Sequence, residues 1–87
     1  MSVMYEVTAY DRNTGRLVTF YDVPKRRIAS VKNIAGIPPS DDGLGSYLID
    51  RGQIAALASV LDTPIAEGDL DFFLEAYDGG TNRSAAG

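Results

Sequence analysis

The feature that most constrains the fold is the stretch Asp69–Asp78, in which apolar residues recur at every second position. One alternating set is wholly apolar and consists of Leu70, Phe72, Leu74 and Ala76. The other set combines carboxylates with large aromatics and consists of Asp71, Phe73, Glu75 and Tyr77. Because successive side chains of a strand point to opposite sides of a sheet, this pattern predicts a central strand with one buried face.

The first part of the chain predicts a β-hairpin. Residues 3–10 alternate like a half-buried strand, and the turn formers of Asp11–Gly15 follow them. The β-branched and aromatic residues of Arg16–Tyr21 then predict a second strand, with Val18 and Phe20 facing the core.

Two helices are predicted in the middle of the chain. The first begins at Pro24 and ends near Gly36, with Lys25, Arg26 and Arg27 crowding its first turn. A short strand over residues 46–49 precedes the second helix, for which Asp50 is the predicted N-cap. The apolar spacing of that helix, at i, i+3, i+4 and i+7, runs from Ile54 to Leu61.

These elements predict an α+β two-layer sandwich in the order ββαβαβ. Both helices cover one face of a four-stranded mixed sheet, whose last two strands are parallel through a right-handed crossover. We expect the last strand to lie beside the first, which gives the spatial order 2-1-4-3. Residues 1–78 form a single domain, and residues 79–87, which lack an apolar pattern, are predicted to be a flexible tail.

The composition argues against several classes of function. The chain has no His and no Cys, so the usual general bases, thiol nucleophiles and histidine metal ligands are missing. We therefore expect no enzyme, no cofactor and no metal site, and we interpret the acidic loop around Asp41 as a solvated turn. No apolar run is long enough to cross a membrane, and the expected location is the cytoplasm.

The charge of the chain is uneven. Residues 1–40 hold six basic and three acidic residues, whereas residues 41–87 hold two basic and nine acidic ones. The net charge is −4. An acidic protein is a poor general binder of nucleic acid, because Lys and Arg supply most of the non-specific affinity for phosphates. It is better suited to a basic partner.

The sheet face opposite the helices is the predicted site of a protein partner. Aromatic residues with one polar end are typical anchors of interfaces. The candidate partner-binding residues are Glu6, Tyr10, Tyr21, Asp71, Phe73, Glu75 and Tyr77. Three alternatives stay open: the tail or a loop covers this face, the face pairs with itself in a homodimer, or the cluster Lys25–Arg27 binds an anionic partner.

The chain also resembles a group of bacterial domains. The segments that carry the resemblance are Tyr5–Val7, Tyr10–Asp11, Thr14–Val18, Tyr47–Ile49 and Phe72–Glu75. They are similar to those of small acidic α/β domains found near polymorphic toxin genes, which look like immunity proteins. The resemblance implies a cytoplasmic protein that neutralises a cognate toxin domain, for which a nuclease is one candidate. The alternative is a homodimeric structural or regulatory module with a self-complementary sheet face or edge.

Overall fold

The computed structural model describes residues 3–38, 45–65 and 68–78, and it contains the predicted ββαβαβ order. The strands are β1 (Val3–Asp11), β2 (Leu17–Val23), β3 (Ser46–Ile49) and β4 (Leu70–Asp78). The helices are α1 (Ile28–Ile34) and α2 (Arg51–Leu61). The predicted α+β fold is therefore confirmed. The predicted tail and the loop around Asp41 lie outside the described residues.

The four strands form one sheet in the order β2-β1-β4-β3, as the sequence predicts. The centre of the sheet is the pairing of β1 with β4, which runs from Val3 opposite Asp78 to Asp11 opposite Leu70 without interruption. Residues far apart in the chain thus form the middle of the fold.

The predicted mixed sheet is wrong, because every neighbouring pair of strands is antiparallel. Ile49, at the end of β3, pairs with Phe72 near the start of β4. The α2 helix of 11 residues is about 16 Å long. Residues 62–69 can span about 26 Å when extended, so they can return the chain to the end of the sheet where β3 finishes. The chain can therefore pair β4 antiparallel with β3, without the crossover that a parallel pair would need.

The β1–β2 hairpin differs from the prediction in one respect that changes the faces of β2. Its turn uses Gly15 at a φ of +72°, which glycine adopts without steric cost. The register then shifts between Ala9 and Tyr10, because Ala9 pairs with Thr19 whereas Tyr10 pairs with Leu17. This β-bulge inserts one extra residue into β2 and reverses its alternation.

The predicted orientation of β2 is consequently wrong. Tyr21 pairs with the fully buried Val7 and packs against the core, so it lies on the face that the helices cover. Val18 and Phe20 do not face the core, because Phe20 pairs with Thr8 on the opposite face and Val18 is 54% exposed.

The core lies between the sheet and the two helices, which cover the same face. It joins Val7 and Leu74 of the central strands to Val31 of α1 and Leu57 of α2. The N-terminus of α2 carries the predicted capping box, in which Gln53 N donates to Asp50 Oδ1 over 2.9 Å. Lys25–Arg27 form a short 3₁₀ turn ahead of α1, so these basic residues precede the helix and do not crowd its first turn.

Among the described residues, no helix is both long and apolar enough to cross a membrane.

Candidate protein-binding face

The face of the sheet opposite α1 and α2, called the open face below, is defined by the strand registers. Residues that pair across neighbouring antiparallel strands lie on the same face. The registers therefore place the following residues together: Met4, Glu6, Thr8, Tyr10, Leu17, Phe20, Asp22, Ser46, Leu48, Asp71, Phe73, Glu75 and Tyr77. They fall into rows that run across the strands, and two groups of these residues have distinct chemistry.

The first is an acidic row, formed by Asp22, Glu6 and Glu75 on three neighbouring strands. Glu6 pairs with Asp22 on one side and with Glu75 on the other. Like charges directly opposite one another in a sheet are unfavourable. Glu6 is only 2% exposed and interacts with other groups of the protein, so it contributes little contact area to the face.

Hydroxyl groups from neighbouring rows donate to the acidic row. Glu75 Oε2 accepts from Thr8 Oγ1 over 2.5 Å and from Tyr10 Oη over 3.1 Å. Asp22 Oδ1 accepts from Tyr77 Oη over 3.3 Å. Because hydrogen bonds to a carboxylate favour its charged form, these donors offset part of the repulsion along the row.

The second is an apolar strip beside the acidic row. Phe20, Phe73 and Leu48 share one register row with Thr8, and Leu17 and Tyr10 pair in the next row. The aromatic centre of the strip is ordered: the rings of Tyr10 and Phe73 meet edge to face, with centroids 5.8 Å apart and planes at 75°. Leu17 at 47% and Leu48 at 65% leave both ends of the strip exposed, on the two edge strands of the sheet. The strip thus crosses all four strands.

The Tyr10 hydroxyl lies where the strip meets the acidic row. Burial raises the pKa of this phenol, and the hydrogen bond to Glu75 and the negative charge of Glu75 raise it further. The charge of Glu6 acts in the same direction, whereas the hydrogen bond with Thr8 opposes the rise. Tyr10 is therefore a neutral hydrogen-bond donor at physiological pH.

A charged corner closes one end of the open face. Arg12 Nε donates to Asp71 Oδ1 over 3.2 Å, and Arg12 Nη2 donates to the carbonyl oxygen of Leu70 over 3.2 Å. A cleft of about 660 Å³ opens at this corner, between β3, β4 and the start of α2. Its lining includes the apolar side chains of Ile49, Ile54, Leu70 and Phe72. The pairing with Arg12 means that Asp71 adds less net charge to the face than an isolated carboxylate would.

The structure brings most of the predicted site together. Tyr10, Phe73, Glu75, Tyr77 and Asp71 all lie on the open face, as their alternation predicts. Glu6 lies on that face but is buried, and Tyr21 lies on the other face.

The sequence analysis missed the residues that β2 and β3 contribute to the open face, among them Phe20, Asp22 and Leu48. Phe20 and Asp22 lie on the same side of β2, and after the bulge this side faces the open face of the sheet and not the core. Leu48 belongs to a strand of four residues, which is too short for alternation to identify its faces.

No group of three or more Asp or Glu side chains on the described part of the chain is arranged to hold a metal ion. The exposed Lys25–Arg27 turn lies outside the open face, and its role as a second surface stays a prediction.

These features define a small α+β domain with a four-stranded antiparallel sheet, which the two described helices cover on one face. The chain belongs to the family described as Domain of unknown function (DUF7683), whose model matches residues 4–75. No curated protein and no solved structure matches the chain.

Proposed function

We propose that the protein is a binding domain that docks a basic protein partner on its open face. The observation that carries this proposal is the apolar strip, which crosses all four strands with exposed ends beside a row of carboxylates. Contiguous exposed apolar surface on a small protein is a mark of interaction sites. Carboxylates along one side of such a strip favour a partner with Lys or Arg beside its own apolar contacts.

In this proposal the acidic row and the apolar strip contribute to binding in different ways. The acidic row, with the net charge of −4, attracts the partner over distance and accelerates association. Phe73 and Leu48 provide the contact that excludes water and slows dissociation, because buried apolar anchors dominate the energy of most interfaces. Tyr10, a neutral phenol, supports both groups of residues through its hydrogen bond to Glu75 and its ring contact with Phe73.

In its most concrete form, the proposal is an immunity protein of the cytoplasm that neutralises a cognate toxin domain. A nuclease toxin carries a basic surface for phosphates, and the acidic row would cover such a surface. The proposal needs neither catalysis, a cofactor nor nucleic-acid binding by this chain. The alternative is a homodimer through the open face, which the exposed ends of the strip would also permit.

The test begins with the gene immediately upstream. We expect it to encode a large secreted protein whose C-terminal domain stops bacterial growth when expressed alone and does not do so when co-expressed with this protein. The purified pair is then studied by kinetic titration at two salt concentrations. An upstream product that neither inhibits growth nor binds would refute the immunity proposal.

Substitutions distinguish the contribution of the apolar strip to binding from that of the acidic row. Leu48→Glu should weaken binding by about tenfold or more, mainly through faster dissociation, since it places a charge in a desolvated contact. Asp22→Asn should slow association by about two- to fivefold at low salt and flatten the salt dependence.

The matched control for Asp22→Asn is Asp62→Asn, which removes the same charge from the end of α2. Asn tolerates the left-handed conformation of that residue, whose φ is 51°. Equal effects of Asp22→Asn and Asp62→Asn, together with an unaffected Leu48→Glu variant, would show that the partner binds elsewhere. Sedimentation of the free protein tests the dimer alternative, since a face-to-face dimer would be lost in Leu48→Glu.

A further inference from the structure

The cleft at the charged corner of the open face is a second place where the structure can receive a ligand. It exists because β3 ends at Ile49, opposite Phe72, whereas β4 begins two residues earlier, at Leu70. After Ile49 the chain leaves the sheet, and Asp50 caps α2 instead of continuing the strand. The first residues of β4 therefore extend beyond β3, and the cleft occupies the space that a longer β3 would fill.

The size and the lining of the cleft suit a small organic group. Its volume of about 660 Å³ lies within the range of about 300–1,000 Å³ that is usual for small-molecule sites. Ile49 and Phe72 of the lining are almost fully buried, and Ile54 and Leu70 are packed against the core. An aromatic or large aliphatic group placed against these four side chains would be removed from water, which is favourable.

The backbone at the cleft is already hydrogen-bonded, which argues against a further strand as the occupant. The Leu70 N–H donates to the carbonyl oxygen of Gly68 over 2.9 Å, and the Leu70 carbonyl oxygen accepts from Arg12 Nη2 over 3.2 Å. A strand that extends a sheet binds through free N–H and C=O groups of the edge. Because both groups of Leu70 are in use, we expect side chains to hold the occupant.

The charged groups of the lining favour a positively charged occupant. Three carboxylates and two guanidinium groups line the cleft, and Arg12 pairs with Asp71. This pairing leaves Asp50 and Asp69 against Arg51 alone, so the lining is net negative. The Asp50 carboxylate is already engaged in the helix cap. Asp69 is exposed and has no side-chain partner among the described residues, which makes it the available partner for a cation.

We propose that the cleft binds an aromatic or large aliphatic group that carries a positive charge beside it. In a protein partner, this group is an apolar side chain next to Lys or Arg. Leu48 and Asp71 belong both to the open face and to the lining of the cleft, so the two surfaces are continuous. A partner on the open face would therefore reach the cleft, and one side chain in a pocket can dominate the energy of an interface. The identity of this occupant rests on the proposed function, whereas the existence of the site does not.

Tryptamine is the probe for this site, because it joins an indole ring to an amine that is protonated at neutral pH. Titration followed by NMR of the backbone amides should give a dissociation constant on the order of 1 mM, as expected for so small a ligand. The largest shifts should fall on the amides of Ile54 and Leu70, which line the cleft. Indolepropionate, whose chain ends in a carboxylate, should bind about fivefold more weakly or worse.

Three results of this titration would overturn the proposal. The first is no detectable binding of tryptamine at several millimolar. The second is equal binding of tryptamine and indolepropionate, since the lining would then not select a cation. The third is a set of shifts centred on Thr8 and Phe20 in the middle of the open face, which would place the probe on the apolar strip and not in the cleft.

Asp69→Asn tests the charged part of the site. It should weaken tryptamine binding by about threefold and leave the binding of neutral indole unchanged. The matched control is Asp62→Asn, which removes the same charge at the far end of α2 and should bind tryptamine like the original chain. Equal effects of the two variants would overturn the role of Asp69.

The product of the upstream gene then tests the occupant. Asp69→Asn should weaken its binding by about threefold as well, because the basic group beside the apolar side chain loses its partner. If the variant weakens tryptamine but not this product, the partner's side chain is not the occupant. The proposal for the open face would still stand in that case, because Asp22→Asn tests it independently.

Discussion

Glu75 shows how a carboxylate is maintained opposite another carboxylate in the middle of a sheet. Its register partner is the buried Glu6, yet its Oε2 accepts from both Thr8 and Tyr10. Hydrogen bonds to a charged group are worth about 1.5–3 kcal/mol each, which is comparable to the repulsion that they oppose. Removing the Glu75 charge therefore removes both a repulsion and two good acceptor contacts, and a large gain in stability is not expected.

The Tyr10 phenol offers a direct measurement of this arrangement. Because its pKa in the folded state is raised, the folded protein keeps the proton at a pH where the unfolded chain loses it. The contribution of Tyr10 to stability is thus complete below a pH of about 10 and is lost as the pH rises through the folded-state pKa.

Ultraviolet titration of tyrosinate should show a phenol that ionises late and is missing in Tyr10→Phe. Glu75→Gln should bring this ionisation to lower pH, since it removes a negative charge from beside the ring. An unchanged titration in Glu75→Gln would mean that the hydrogen bond between the two residues is not formed in solution.

At the scale of the elements, the sequence predicted what depends on uninterrupted alternation. In β1 and β4 the alternation runs without a break, so the faces and the adjacency of these strands were predicted correctly, and the six candidate residues that they contain lie on the open face. In β2 a single extra residue at the bulge reversed the alternation. Tyr21 therefore lies on the core face and Phe20 on the open face, which is the reverse of the prediction. A bulge is a property of the pairing of two strands, and one strand's sequence does not specify it.

The direction of β3 and β4 was wrong for a similar reason. A strand, a helix and a further strand in succession suggested a crossover, but β3 has four residues and α2 begins two residues after its end. The helix packs against the sheet, and β4 starts at the end of the sheet where β3 finishes. Residues 62–69 are numerous enough to span the length of α2, and this is the feature of the sequence that allows such an outcome.

Packing between the sheet and α2 can be tested by replacing large apolar side chains with alanine. Leu57→Ala and Phe72→Ala should each destabilise the protein by about 2–5 kcal/mol, because both side chains are buried in the core. Leu48→Ala is the matched control on the open face, and it should change stability by less than about 0.5 kcal/mol. Urea melts measure all three. Similar losses for Leu48→Ala and Leu57→Ala would mean that the open face is covered in solution.

At the scale of the whole molecule, the two faces of the sheet differ in what covers them. One face is closed by α1 and α2 over a continuous apolar core. The other is a mixture of carboxylates, aromatics and exposed leucine and valine, and it has no helix over it among the described elements.

The pairing of β1 with β4 also decides when this protein can fold during its synthesis. Thr8 and Phe73, which contact each other at the centre of the sheet, are 65 positions apart in the chain. As the ribosome produces the chain, β1 and β2 emerge first, and a two-stranded hairpin alone is marginal in water. The nascent chain should therefore stay sensitive to protease until β4 has left the exit tunnel, and become resistant in one step afterwards. Resistance before that point, measured on stalled ribosomes, would contradict this order. Until β4 appears, Val7 and Ala9 have no strand on their second side, so the nascent hairpin presents a strand edge that can pair with other chains.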